Sequence, residues 1–270
     1  MRRGGAAALW LTLPALAGTA AAQSGQTQAP RYSARQLACA RFIERADADI
    51  HGEAGGRPRD ETTGRVGRWI IRAAPAPDGA TGLEAWFDSL SIWRKADGAV
   101  RAPDTDGLIG GRFRGQLSPD GRYTPTVRPF VPDEVAEFAG LRDALADLLP
   151  PLPPMALTPG AAWHDDAGLE IERLGDSTTG SGAIQRYRVA RRTVSRDARV
   201  SDSLSIPLRQ TTIEAGEFAW DDARGVLSRT RTVTIDTDVP AAGAIRVPVR
   251  SRVVQRLTLE RLPDDAAVCG

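Results

Sequence analysis

The most constraining feature of the sequence is the alternating pattern of residues 244–262 near its end. Between Ile245 and Leu259, six of the eight odd-numbered positions are apolar, and arginines occupy most of the even-numbered positions. Because successive side chains of a strand point to opposite faces, the pattern predicts a β-strand with one buried and one solvated face. A strand of about seventeen residues is roughly three times the usual length, so we expect it to bend near Pro248 or Ser251. Long, bent antiparallel strands are typical of a curled sheet or partial barrel.

Shorter alternating or apolar runs cover most of the chain after Val66. Glycine, proline and aspartate cluster between these runs, at 77–79, 97–98, 104–107 and 119–121, and they favour turns. Short turns join neighbouring antiparallel strands, so the sequence predicts β-meanders. The predicted strands are 69–74, 83–95, 112–117, 122–130, 162–174, 184–196, 204–220, 226–236 and 244–262.

Two helices are predicted beside these strands. Ser33 and Gln36 have the spacing of a capping box, and apolar residues follow at helical spacing as far as Ile50. The second helix spans 132–149, with a proline at its first position, acidic residues in its first turn and an apolar stripe. Residues 52–67 are rich in glycine and polar side chains, so we expect a loop there. The predicted fold is mainly β with two helices (α+β), a curled antiparallel sheet or half-barrel with the amphipathic helix packed on it.

Residues 1–22 have the features of a cleaved secretory signal peptide. Two arginines precede a short apolar run that ends in Ala20-Ala21-Ala22, which suits a signal peptidase. The run is too short and too interrupted to span a membrane well, and no later segment has eighteen consecutive apolar residues. We therefore predict a periplasmic or extracellular protein with no integral membrane span, the alternative being an uncleaved N-terminal anchor. Since the first cysteine lies far beyond the apolar run, we do not expect a lipoprotein.

The rest of the chain is predicted to form one β-rich domain, residues 33–262. A flexible lead (23–32) precedes it and a tail (263–270) follows it. A proline-rich segment, 150–159, divides the domain into two similar meanders, and the sequence leaves open whether they share one sheet. The two halves are 33–149 and 160–262.

Cys39 and Cys269 are the two cysteines of the chain. In an exported protein an even number of cysteines favours a disulfide. The alternative is a catalytic thiolate, but neither cysteine lies in a known nucleophile motif. We predict a structural Cys39–Cys269 disulfide that joins the two ends of the domain.

Composition excludes several classes of partner and cofactor. The chain carries 35 Lys+Arg and 34 Asp+Glu, so its formal net charge is +1 and no strong field attracts nucleic acid. The two cysteines and two histidines are far apart in the sequence and do not have the spacing of a zinc finger. The glycines around Ile109 form neither a P-loop nor a dinucleotide fingerprint. We predict no cofactor, no metal site and no nucleic-acid partner.

A hydrolase using His164 is the weakest functional alternative. Asp165 and Asp166 follow this histidine, but neighbouring strand residues point to opposite faces, and residues 165–168 are typical of a hairpin turn. Six arginines between 186 and 199 would fit an anion-binding strip, although cross-strand ion pairs explain them better. We therefore expect no catalytic residue and a protein that is not an enzyme.

Aromatic residues on both faces of the strand 83–95 indicate either two packed layers or a lined cavity. Trp86 is predicted on one face, and Phe87 and Trp93 on the other. The second helix supplies further apolar side chains. The residues predicted to line a ligand cavity are Trp86, Trp93, Phe138, Leu141 and Leu145.

The order of the predicted elements resembles that of the periplasmic lipoprotein carriers, which are open β half-barrels with a helical lid. The segment 149–154, leading to 159–163, also resembles a signature of uncharacterised exported bacterial β-rich families. The resemblance implies a protein that holds a lipid or another hydrophobic small molecule in the half-barrel. An envelope structural or interaction protein with a fully packed core is the alternative.

Overall fold

The computed structural model describes the chain from residue 28 to residue 265, apart from residues 137, 139, 142, 180–181, 202–203 and 242–245. The predicted signal peptide, most of the predicted lead and Cys269 lie outside the described residues. Within the described part, no helix is both long and apolar enough to cross a membrane.

Strands dominate the fold, and three short helices accompany them. The helices are α1 (Ala34–Leu37), α2 (Asp133–Ala136) and α3 (Ala144–Leu148). The strands are β1 (Ala40–Ala54), β2 (Arg57–Pro75), β3 (Thr81–Ala96), β4 (Ala99–Arg101), β5 (Phe113–Leu117), β6 (Tyr123–Val127), β7 (Ala162–His164), β8 (Leu169–Thr179), β9 (Gly182–Ser201), β10 (Leu204–Asp221), β11 (Gly225–Val239) and β12 (Val249–Arg261).

All twelve strands belong to one antiparallel, curled sheet. The order is β6-β5-β3-β2-β1-β12-β11-β10-β9-β8-β7, and β4 pairs with β3. Because β1 pairs with β12, the first and last strands join the two halves of the chain into a single sheet. The described strands do not close into a barrel, and β6 and β7 are the two edge strands of the sheet. The predicted curled antiparallel sheet is confirmed.

The alternating segment near the end of the chain forms β12, as predicted. Leu257 and Leu259 are buried, whereas Arg256 and Glu260 are exposed. The strand begins at Val249, and Val247 and Val249 are exposed, so both the strand and its buried face are shorter than the alternation suggests. The bend near Pro248 or Ser251 stays a prediction.

The first predicted helix is mostly wrong. Ser33 N–H donates to Gln36 Oε1 at 2.9 Å, as the capping box requires, but α1 spans only four residues. The chain then continues as β1, in which alternate side chains are buried at Phe42 and Glu44. Because the buried Glu44 is acidic, a prediction based on hydrophobicity does not detect this alternation.

The predicted loop over 52–67 is also wrong, because β1 and β2 form one long hairpin through it. Aromatic rings of β3 lie against the two strand glycines. A Cβ atom at Gly64 would lie 2.4 Å from the Trp93 ring, and one at Gly67 would lie 2.9 Å from the Phe87 ring. These glycines therefore allow close cross-strand packing instead of marking a loop.

The second predicted helix is replaced by α2 and α3. Gly140 lies between them, and glycine lowers helix stability by about 1 kcal/mol relative to alanine. The apolar stripe nevertheless packs on the sheet as predicted. Its buried members are Val135, Leu141, Leu145, Leu148 and Leu149.

The proline-rich segment packs inside the curl of the sheet. Leu152 N–H donates to the Asp120 carbonyl at 2.8 Å, beside the turn between β5 and β6. The Arg173 guanidinium of β8 donates to the Leu157 carbonyl at 2.6 Å. The segment thus bridges regions near both edges of the sheet, in addition to linking the two halves of the chain.

Burial raises the pKa of each of the three tyrosines. For Tyr123 and Tyr187 the pKa rises to about 12. The folded protein thus keeps phenol protons that the unfolded chain releases above about pH 10. The contribution of Tyr123 and Tyr187 to the free energy of unfolding is therefore complete below pH 10 and is lost as the pH rises through 12. In an ultraviolet titration of the folded protein, we expect no tyrosinate near pH 10. A phenol that ionises there before unfolding would contradict the burial.

Candidate functional site

The concave face of the sheet extends beyond the packed core as an apolar floor. Ile50 of β1 pairs with Val253 of β12, which pairs in turn with Ile235 of β11. All three side chains are only half-buried. They lie on the same face as the buried Phe42. Each of them lies an even number of positions along its strand from a buried core residue, and such residues share a face.

A cavity of about 320 Å³ lies between this floor and the segment that carries α2 and α3. We call it the central cavity. Its apolar lining comes from three strands and from the segment between the two helices. The lining includes Ala48, Ile50, Phe138, Val233, Val253 and Leu257.

Charged side chains around the central cavity are paired. Arg94 lies 2.6 Å from Glu61, and its hydrogen bond lowers the pKa of that carboxyl group. The same guanidinium lies 5.9 Å from the centre of the Phe138 ring. On the other side, Arg231 of β11 lies 2.7 Å from Asp147 of α3. The Arg94–Phe138 contact and the Arg231–Asp147 pair link the helical segment to the sheet.

Below the central cavity, Glu44 is completely buried. Its Oε1 accepts a hydrogen bond from Arg65 Nε at 3.0 Å, and its Oε2 accepts one from Trp69 Nε1 at 2.8 Å. Sequence reasoning missed this network, since no local pattern showed that an acidic residue lies on the buried face.

A second cavity, of about 400 Å³, lies between the two edges of the sheet. We call it the edge cavity. Tyr123 of β6 and Trp163 of β7 both line it, so the curl brings the two edge strands to the same space. Asp147 and Arg231 line both cavities. Their ion pair thus lies where the two cavities meet.

The predicted lining residues are distributed over several environments. Phe138 lines the central cavity, and Leu141 lines a separate apolar cavity of about 370 Å³ next to Phe130. Leu145 is buried in the core.

The two tryptophans of β3 pack against other side chains. Trp86 lies between two guanidinium groups, 3.6 Å from Arg112 and 5.4 Å from Arg72. Trp93 covers Gly64, whereas Phe87 covers Gly67 on the opposite face. The register shift near Phe87 explains why the prediction of one shared face for Phe87 and Trp93 is wrong.

His164 does not converge with the neighbouring aspartates. Its Nδ1 lies 3.7 Å from Glu170, and both side chains are exposed. Asp165 Oδ1 accepts the backbone N–H of Leu169 at 2.7 Å, so this carboxylate stabilises the hairpin turn, as the sequence predicts.

Cross-strand ion pairs account for part of the arginine strip. Arg186 lies 2.8 Å from Glu217, and Arg188 lies 3.0 Å from Glu172. Both arginines are half-exposed, so these pairs contribute little stability.

The largest of the cavities, about 540 Å³, is a groove lined mainly by charged and polar side chains near the tip of the β1–β2 hairpin. Its charges pair with one another. Arg252 lies 3.8 Å from Asp236, and Arg250 lies 3.9 Å from Asp238. Without an apolar floor, this groove is a weaker candidate for a hydrophobic ligand.

The described end of the chain returns to Cys39. Leu262 N–H donates to the Arg41 carbonyl at 2.8 Å, and the Asp265 carbonyl oxygen lies 3.7 Å from Cys39 Sγ. Because Cys269 lies outside the described residues, its disulfide with Cys39 stays a prediction.

The sequence matches no protein-family model and no curated protein. Among solved structures, the fold is similar to a structure of lipid–protein interactions in lipovitellin, with a TM-score of 0.46 and 10% identity over 84% of this chain. This chain spans only 25% of that one. A DUF1329 family protein from Desulfovibrio piger has a TM-score of 0.16, 13% identity, and coverage of 84% of this chain and 89% of its own. MucB in complex with MucA has a TM-score of 0.16, 10% identity, and coverage of 83% and 90%. These values indicate only a distant likeness among β-rich proteins.

Proposed function

We propose that the protein is an exported, non-enzymatic binding protein that holds a lipid or another hydrophobic molecule on the concave face of its sheet. The observation that carries the proposal is the apolar floor of Ile50, Val253 and Ile235 beside the central cavity. These side chains are half-exposed, although they lie on the same face of the sheet as the buried core residues.

The floor suits an acyl chain because its three side chains offer aliphatic contacts. Transfer of each methylene from water to an apolar surface is worth about 0.8 kcal/mol. We therefore expect affinity to rise roughly tenfold for every two carbons added to a fatty acid, until the cavity is filled.

Two neighbouring valines provide a matched test. Val253 and Val254 are adjacent in β12 and both half-exposed, but they point to opposite faces of the sheet. Val253→Asn would place an amide against the bound chain, where an unpaired polar group costs about 1–3 kcal/mol. With a fluorescent fatty acid as the probe, we expect Val253→Asn to weaken binding about tenfold or more.

Val254→Asn is the control and should bind the probe like the unmodified protein. Far-ultraviolet circular dichroism would establish that both variants keep the sheet. The proposal fails if the unmodified protein does not bind the probe, or if the two variants weaken binding equally.

A further inference from the structure

Two buried hydrogen-bond donors without partners belong to residues that line the edge cavity. Among the described residues, the Nε of Arg191 and the hydroxyl of Tyr123 are buried and have no hydrogen-bond partner. The two residues lie far apart in the sheet order, on β9 and β6, yet both line this cavity. A buried donor without a partner costs about 1–3 kcal/mol, so an acceptor bound between them would be stabilising.

The carboxylates that line the edge cavity already have partners. Arg231 Nε lies 2.7 Å from Glu214, and Arg231 Nη1 lies 2.7 Å from Asp147. Asp165 accepts the N–H of Leu169, and Asp120 accepts the Ser118 hydroxyl. None of these carboxylates accepts a hydrogen bond from Arg191 Nε or from the Tyr123 hydroxyl.

The inner wall of the edge cavity has three arginines against two carboxylates, while its whole charged lining has four of each. Arg191, Arg229 and Arg231 extend from β9 and β11, and their acidic neighbours are Glu214 and Asp147. Burial, and next the charge of Arg231, lower the pKa of Arg229 to about 10, so this guanidinium is still charged at neutral pH. The remaining charged residues, Arg122, Asp120 and Asp165, lie in the flanking turns, and the Arg122 side chain is 82% exposed.

We propose that the edge cavity binds the anionic head group of an amphiphile, a carboxylate or a phosphate, through Arg191 and Tyr123. This inference rests on the proposed function, in which the apolar chain lies in the central cavity. The two cavities share the Asp147–Arg231 ion pair, so one elongated molecule would pass beside it. The pKa of Tyr123, raised to about 12 by burial, keeps its hydroxyl protonated and able to donate.

The test compares three ligands of equal chain length by titration calorimetry: decanoate, decyl phosphate and the neutral methyl decanoate. We expect at least one of the two anions to bind tenfold or more tightly than the ester. The preferred anion then distinguishes a carboxylate from a phosphate head group.

Arg191→Gln should weaken binding of the preferred anion about tenfold and leave methyl decanoate unchanged. Tyr123→Phe removes only the hydroxyl and should have a smaller effect in the same direction. Arg192→Gln is the matched control, since Arg192 is the next residue, is exposed and points to the opposite face. Arg191→Lys keeps the positive charge. If it binds the preferred anion more tightly than Arg191→Gln does, the loss in Arg191→Gln reflects the missing charge and not misfolding.

The outcomes separate this inference from the proposed function. Equal affinity for decanoate, decyl phosphate and methyl decanoate, unchanged in Arg191→Gln, would overturn the head-group site and leave the proposed function intact. Binding of inorganic phosphate that depends on Arg191, without binding of any decyl ligand, would support the anion site and overturn the proposed function. If no ligand binds, both are wrong.

Discussion

Glu44→Ala should lower the free energy of unfolding by about 3–5 kcal/mol, the cost of leaving a buried charge without its partner. Glu44 is completely buried, and the side chain of Arg65 is only 11% exposed. Without the carboxylate, the Arg65 guanidinium and the Trp69 N–H would both remain in the core without their acceptor. Urea unfolding followed by tryptophan fluorescence would measure the loss.

Glu84 provides the control for this prediction. Its carboxylate also lies near two arginines, 3.0 Å from Arg114 and 3.5 Å from Arg112, but all three side chains are substantially exposed. We expect Glu84→Ala to cost less than about 1 kcal/mol. Glu44→Gln keeps an acceptor for Trp69. Its loss in the free energy of unfolding should lie between those of Glu44→Ala and Glu84→Ala. Equal losses for Glu44→Ala and Glu84→Ala would contradict the buried role of Glu44.

Cys39→Ser should also be strongly destabilising, because the predicted disulfide closes nearly the whole domain. In the chain-entropy model, a loop of about 230 residues is worth up to about 5 kcal/mol. The position of Asp265 beside Cys39 supports the pairing, since the four residues that follow can bring Cys269 back to it.

Three observations would check this bridge. The denatured, unreduced protein should contain no free thiol, and reduction should lower its stability as much as Cys39→Ser does. Cys269→Ser and the double variant should match the single variant, because all of them remove the same bond. Two free thiols in the exported protein would refute the disulfide.

Strand and turn chemistry in the sequence predicted the second half of the fold well. The alternation around Leu257 and Leu259 predicted β12, and residues 165–168 predicted a turn that the Asp165 side chain stabilises. These signals are local, since they depend on the burial of alternate residues and on the conformational preferences of turn residues.

The long hairpin of β1 and β2 could not be predicted in the same way. Its alternation is interrupted by the buried Glu44, whose partners lie more than twenty positions away. Aromatic rings of another strand pack against Gly64 and Gly67. Both features depend on contacts that are distant in sequence, and a local pattern does not report them.

The candidate site was predicted only in part for the same reason. Phe138 was expected near a cavity and lines one, but the floor combines single residues from three strands. The edge cavity depends on the approach of β6 and β7, which are the opposite ends of the strand order. The curl that joins them is a property of the whole sheet.

The most direct test of ligand binding on the concave face is a methyl nuclear magnetic resonance spectrum of isotopically labelled isoleucine and valine residues, recorded with and without decanoate. We predict that the methyl signals of Ile50, Val253 and Ile235 shift and show contacts to the acyl chain. Signals of the exposed Ile213 and Val66, which point to the opposite face, should not change. Shifts confined to Ile213 and Val66, or no shifts at saturating decanoate, would contradict a ligand held inside the curl of the sheet.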